Sequence, residues 1–147
     1  MLGNLPIGKA EIRTLVPHSG PMCLLDRVTK WDERSILCVS DTHRDAANPL
    51  RRDGQLSAVH AVEYGAQAAA VHGALRARAA GAIAPSGYLA ALHDVRLHVI
   101  RLDDVCSSLR VFARQLFGDS ANSIYQCRIF ADSLPLADAR ITIVERV

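Results

Sequence analysis

Between Ser57 and Ala79 the chain reads SAVHAVEYGAQAAAVHGALRARA, and no other stretch restricts its fold as strongly. Alanine dominates the run, proline is absent, and Ser57 is suited to cap a helix that starts there. Arg76 and Arg78 fall in the last turns, where they complement the helix dipole, and Gly81 follows. Ala, Val, Gly and Tyr occupy almost every face, with Glu63 the one acid among them. A helix apolar on all sides is a buried helix, so the rest of the chain has to supply its cover.

The flanking segments predict that cover as a sheet. A short helix signal, KAEIRTLV, is stopped by Pro17 and followed by the turn PHSGP, after which MCLLDRVTKW begins extended structure. Residues 35–42 read as a strand, and RDAANPLRRDGQL is a polar loop longer than most connections, the kind that usually carries function or disorder. Beyond the helix, 87–100, 109–118, 123–133 and 136–147 read as strands, the middle two joined by a hairpin-like GDSAN. The expectation is an α+β fold, an antiparallel sheet wrapped around one long central helix, with residues 1–147 forming one domain.

Several function classes are disfavoured. With 17 basic against 15 acidic residues, and no Lys/Arg run longer than Arg51–Arg52, the sequence leaves no footprint for nucleic acid and none for an anionic membrane. No apolar stretch approaches the ~18 residues of a membrane span, and the first residues lack a signal-peptide core, which predicts a cytoplasmic protein. The cysteines at 23, 38, 106 and 127 form no CxxC pattern, sit among apolar residues, and read as packed thiols, with neither metal nor disulfide expected. GxGxxG, Walker, GxSxG and HExxH motifs are absent.

Three blocks carry a family resemblance. EIRTLVPHSGPMCLLDRVTKWDE resembles the opening of the β-hydroxyacyl-acyl-carrier-protein dehydratases. LSAVHAVEYGAQAAAV is similar to their helix, in which a catalytic glutamate precedes a glutamine by four residues, here Glu63 and Gln67. GYLAALHDVRLHVIRLDDV is similar to their third block, with Asp103–Asp104 where the family has a Gly-Asp turn. The resemblance implies a hotdog fold and points to the diverged subgroup found beside aryl-polyene and polyketide-like gene sets. It also implies active sites shared between subunits. The housekeeping enzymes carry their catalytic histidine in a His-Phe-Pro-Gly loop fourteen residues before the acid; here that position is Pro49.

Dehydrating a 3-hydroxyacyl thioester requires a base for the α-proton, an acid for the departing hydroxyl and donors for the enolate-like oxygen. Glu63 fits the acid, being alone in an apolar helix where an unpaired charge is expensive; a structural carboxyl is the alternative. The helix N-terminal amides are suited to the oxyanion. His43, at the entrance to the long loop, is the first choice for base because it is placed to reach a neighbouring subunit's helix; His60, three residues before Glu63, is the second and a substrate-binding candidate. Gln67 is expected to orient water or the thioester. His18, in the turn, reads as structural, His72 as packing, and His93 and His98 as sheet-face residues. Arg44, Arg51 and Arg52 offer charge to a phosphopantetheine arm or an acidic carrier, or are simply solvated.

The leading expectation is therefore a 3-hydroxyacyl-acyl-carrier-protein dehydratase, a lyase of fatty acid or polyketide biosynthesis. It takes an acyl carrier protein or CoA thioester, needs no cofactor beyond the substrate's phosphopantetheine arm, and works as a homodimer or with another hotdog subunit. The alternatives are a hotdog thioesterase, since a helix carboxylate can activate water by itself, and a non-catalytic hotdog subunit of a heteromeric dehydratase.

Overall fold

The computed structural model describes residues 5–16, 22–83, 87–119 and 121–145; the PHSGP turn with His18 lies outside them. In chain order the elements are β1 (Ile7–Gly8), α1 (Lys9–Leu15), β2 (Arg27–Trp31), β3 (Ser35–Ser40), α2 (Ala61–Ala79), β4 (Gly87–Leu97), β5 (Leu109–Gly118), β6 (Asn122–Ala131) and β7 (Leu134–Glu145). The strands form one antiparallel seven-stranded sheet in the order β1-β2-β3-β5-β6-β7-β4, with α2 packed against β3, β5, β6 and β7. This is the α+β arrangement of a sheet around a long helix that the sequence predicts.

Period-two alternation decides which sheet face meets the helix. On β5, Leu109, Val111 and Ala113 are buried; on β6 it is Tyr125, Cys127 and Ile129. Helix and sheet approach closely at Gly65, where a Cβ would come within 3.0 Å of the Cβ of Cys127, so any side chain there pushes the helix off the sheet. At the far end, Gly81 (φ +73°) takes the left-handed conformation that closes a helix.

Two polar networks cross the core. His72, fully buried, accepts from the Tyr125 hydroxyl at Nδ1 (2.7 Å) and donates from Nε2 to the Asp32 carbonyl (2.8 Å). Near the start of α2, the Tyr64 hydroxyl meets Thr42 Oγ1 (2.8 Å) and Asn48 Nδ2 (3.2 Å), and Thr42 Oγ1 donates to the Leu24 carbonyl (2.8 Å). The second network binds the long loop to the helix, so the loop is an ordered wall. Cys23, Cys38 and Cys127 are buried free thiols, as the apolar flanks suggest, whereas Cys106 is exposed because its segment runs over the surface. No helix among the described residues is long and apolar enough to cross a membrane.

The expectation that the helix is covered on every side needs correcting. One stripe, Val59, Glu63, Ala66, Ala70 and Gly73, is not fully buried; Val59 is half exposed, and nothing lies within 4 Å of a Cβ built on Gly73. The sheet curves around only part of the cylinder, and the described residues leave that strip incompletely covered.

Candidate active site

The open stripe is where Glu63 sits. The helix begins as a 3-10 turn, Ala58–His60, capped by Ser57, whose Oγ accepts from the Val59 amide at 3.3 Å. That turn is fastened from outside. The Ala58 amide donates to the Ile100 carbonyl (3.0 Å) and the Leu102 amide to the Leu56 carbonyl (2.8 Å). The Leu56 amide in turn donates to Asp103 Oδ1 (2.8 Å), a carboxylate also gripped by the Arg101 guanidinium. The Arg101 hydrogen bond is the main reason the Asp103 pKa is held well below the usual carboxylate range.

These bonds correct the expected oxyanion donors. The amides of Ala58, Val59, His60 and Ala61 all find acceptors within the 3-10 turn or on the 100–102 segment, so none is left over for a thioester oxygen. The tight turn uses the donors that an unadorned α-helical N-terminus presents.

One turn beyond Glu63, Gln67 is 1 % exposed, and both hydrogens of its amide are committed. Nε2 donates to the Met22 carbonyl (2.8 Å) and to Glu63 Oε1 (3.1 Å), while Oε1 accepts from the Leu24 amide (2.9 Å). An amide held by backbone on both its oxygen and its nitrogen has no freedom to flip. It therefore presents a fixed donor to the carboxylate, and its committed hydrogens leave none for the water or thioester that the sequence expectation gives it.

The histidines separate by placement. His43 lies in a 3-10 turn, Thr42–Arg44, directly after β3, with its ring turned inward and 0 % exposed. Nε2 donates to the Val105 carbonyl at 3.0 Å. Burial lowers its pKa, outweighing the Val105 carbonyl, which favours the neutral ring. The expected reach of His43 to a neighbouring subunit's helix is not met by this geometry, because the turn directs the side chain into its own protomer. His60 is only partly buried, and among the described residues its ring makes no hydrogen bond. It lies three residues before Glu63, on adjoining helix surface. His72 is a core residue, His93 an exposed β4 residue, and His98 pairs with Asp138 at 3.0 Å.

The loop arginines are largely spent inside the chain. Arg51 donates to the carbonyls of Asp45, Gly54 and His43, and Arg44 to that of Cys106 and the carboxylate of Asp41. Arg52, exposed like Arg44, makes no side-chain hydrogen bond or ion pair among the described residues. The contribution sequence reasoning missed is that of the 22–24 backbone, which grips Gln67 from more than forty residues away; no local pattern signals such a contact.

A family profile described as ApeP-like, ApeP dehydratase, matches residues 10–146. The chain is similar to the dehydratase heterocomplex ApeI:P from Xenorhabdus doucetiae at 23 % identity, with 99 % of this chain and 93 % of that one covered and a TM-score of 0.85. It also resembles a thioesterase family protein from Silicibacter pomeroyi (12 % identity, 95 % and 99 % covered, TM-score 0.66). A third similar structure is a hypothetical thioesterase with coenzyme A from Streptococcus pneumoniae (9 % identity, 81 % and 84 % covered, TM-score 0.59). Among curated proteins, none matches.

Proposed function

The chain belongs to the ApeP-like dehydratase family and is a hotdog dehydratase, and from that premise we propose that it converts a 3-hydroxyacyl thioester into the 2-enoyl thioester and water. The observation that carries this reading is Glu63 itself, a carboxyl on the open stripe of a mostly buried helix, oriented by the immobilised amide of Gln67. Elimination moves two protons. A base takes the proton from the α-carbon, and an acid protonates the β-hydroxyl as the carbon–oxygen bond breaks, so that water leaves and the double bond forms. Glu63 is the acid. His60, the partly exposed ring on the same surface, takes the base position that the sequence assigns first to His43. Because the amides of residues 58–61 already have acceptors, the donors for the thioester oxygen come from the subunit facing the stripe.

A facing subunit also accounts for β4. This strand ends the sheet, and its neighbour on one side is β7. Leu89, Leu92, Val95 and Leu97 on it are each 40–44 % exposed. An eleven-residue edge with that much apolar surface is a pairing site. The similar Xenorhabdus assembly is a heterocomplex, which favours another hotdog subunit as occupant over a second copy of this chain. The thioester is presented on a phosphopantetheine arm of an acyl carrier protein or of CoA, in the cytoplasm, and the elimination draws on no further cofactor.

The test is to incubate the purified protein, alone and with a second hotdog protein, with a 3-hydroxyacyl thioester. Enoyl thioester, followed by its ultraviolet absorbance, supports the reading. Free thiol in place of enoyl product assigns a thioesterase. Product only from the mixture, and undiminished by Glu63→Gln, assigns a structural subunit.

A further inference from the structure

The sheet face turned away from α2 carries the chain's unused positive charge. On β5 the outward residues are Arg110, Phe112 and Arg114, and on β6 they are Gln126, Arg128 and Phe130. The register places Arg128 between Phe112 and Asp138, Arg140 opposite Gln126, and Arg96 opposite Asp138. Five arginines, at 96, 110, 114, 128 and 140, thus share a surface with the carboxylates of Asp94 and Asp138, and Asp32 and Glu33 border it beside Phe112 and Arg114. Asp138 is taken by His98 at 3.0 Å, and Asp94 stands 4.0 Å from Arg140. Among the described residues Arg96, Arg110, Arg114 and Arg128 make no ion pair. Arg96, Arg128 and Arg140 border a shallow concavity of about 590 Å³ that also includes Phe130 and Pro135.

We propose that this face docks the acidic surface of a partner protein. Four guanidinium groups without a counter-charge, in a chain whose formal net charge is only +2, concentrate the surplus in one place. Arginine, more than lysine, makes the paired, planar hydrogen bonds that carboxylates accept, and arginine beside half-exposed phenylalanine is the composition of a protein interface. Asp94 and Asp138 within the face repel a phosphodiester chain or an anionic headgroup, while they offer counterparts to basic residues bordering an acidic protein patch. A second copy stacked on the same face would set arginine against arginine. The face lies on the opposite side of the sheet from α2, so its occupancy is compatible with subunit pairing along β4 and does not depend on the dehydratase reading. Strand alternation conceals it in the sequence, because every second residue points into the core and no run of basic residues forms.

The probe is a fluorescein-labelled helical peptide rich in glutamate, titrated with the full chain and followed by anisotropy. Binding is expected, weakening as salt is raised and about 100-fold weaker for Arg114→Glu/Arg128→Glu. Arg13→Glu, on exposed surface of α1, leaves it unchanged, and thermal melting establishes that each variant is folded. Competition with a 20-nucleotide single-stranded DNA and with phosphatidylglycerol vesicles separates carboxylate from phosphate recognition. Absence of peptide binding, equal losses in the Arg13 variant, or tighter binding of DNA or vesicles than of peptide overturns the proposal.

Discussion

Replacing Gln67 with glutamate keeps the side chain's shape and changes one donor group, which makes it the most direct test of how Glu63 is controlled. Gln67 Nε2 lies 3.1 Å from Glu63 Oε1, and the substitution puts a second carboxyl oxygen at that place. Two unit charges at that separation repel by about 5 kcal/mol at an effective dielectric of about 20. Solvent reaches the partly exposed Glu63, and halving the repulsion for that screening leaves roughly 2–3 kcal/mol, or about two pKa units. One proton is then retained by the pair well above the ordinary glutamate range, and the pair titrates as a unit. The amide supplies two hydrogens, to Met22 and Glu63, where the protonated acid supplies one, so either the Met22 carbonyl or Glu63 loses its donor. A buried group left unsatisfied costs about 1–3 kcal/mol of stability. The expected result is a folded variant with a lower melting temperature and an alkaline limb of the rate–pH profile, where the acid Glu63 loses its proton, displaced upward by about two units. The assay is enoyl formation from a short-chain 3-hydroxyacyl thioester between pH 5 and 9, with the hotdog partner present if activity requires it. A variant whose pH profile superimposes on the wild type's refutes the positioning role, whatever happens to its stability.

Glu63→Gln is expected to reduce turnover by about 10²–10⁴-fold while circular dichroism and oligomeric state stay unchanged; near-normal rates would make Glu63 a structural carboxyl. His60→Ala should cost more single-turnover rate than His43→Gln, which acts mainly on stability through the Val105 contact; the reverse order would mean that the buried ring opens to the substrate. His43 and His72 both have pKa values lowered by burial, so below about pH 6.5 the unfolded chain binds protons that the folded chain refuses. Stability should therefore fall as pH drops through 6.5, by up to about 1.4 kcal/mol per pH unit for each histidine, and urea melts at pH 7.5, 6.5 and 5.5 that superimpose would contradict this. Leu92→Lys, on the exposed β4 edge, should shift the protein toward monomer in sedimentation velocity, whereas an unchanged assembly would remove β4 from the interface.

The sequence by itself determined what local periodicity encodes. The alanine-rich run between Ser57 and Gly81, the alternation in LRVFAR and YQCRIF, and the four-residue spacing of Glu63 and Gln67 place the helix, the strands and the pairing of an acid with an amide. The fold class follows from those elements, because a helix so apolar needs a sheet against it. What only the tertiary structure decided are contacts between residues far apart in the chain. Gln67 meets a backbone segment more than forty residues away, and His43 and Arg44 meet carbonyls sixty-two residues ahead. His43 reads from its position as a group entering a loop, but a single 3-10 turn sets its ring inward, and nothing in the neighbouring residues signals that direction. The helix amides that look free in the sequence are taken by Ser57 and the 100–102 segment. Arginines dispersed along four strands become one surface only when pairing aligns them. Local sequence selects backbone conformations from a small menu, whereas the partner of a buried polar group depends on which distant segments the packed core brings within about 3 Å.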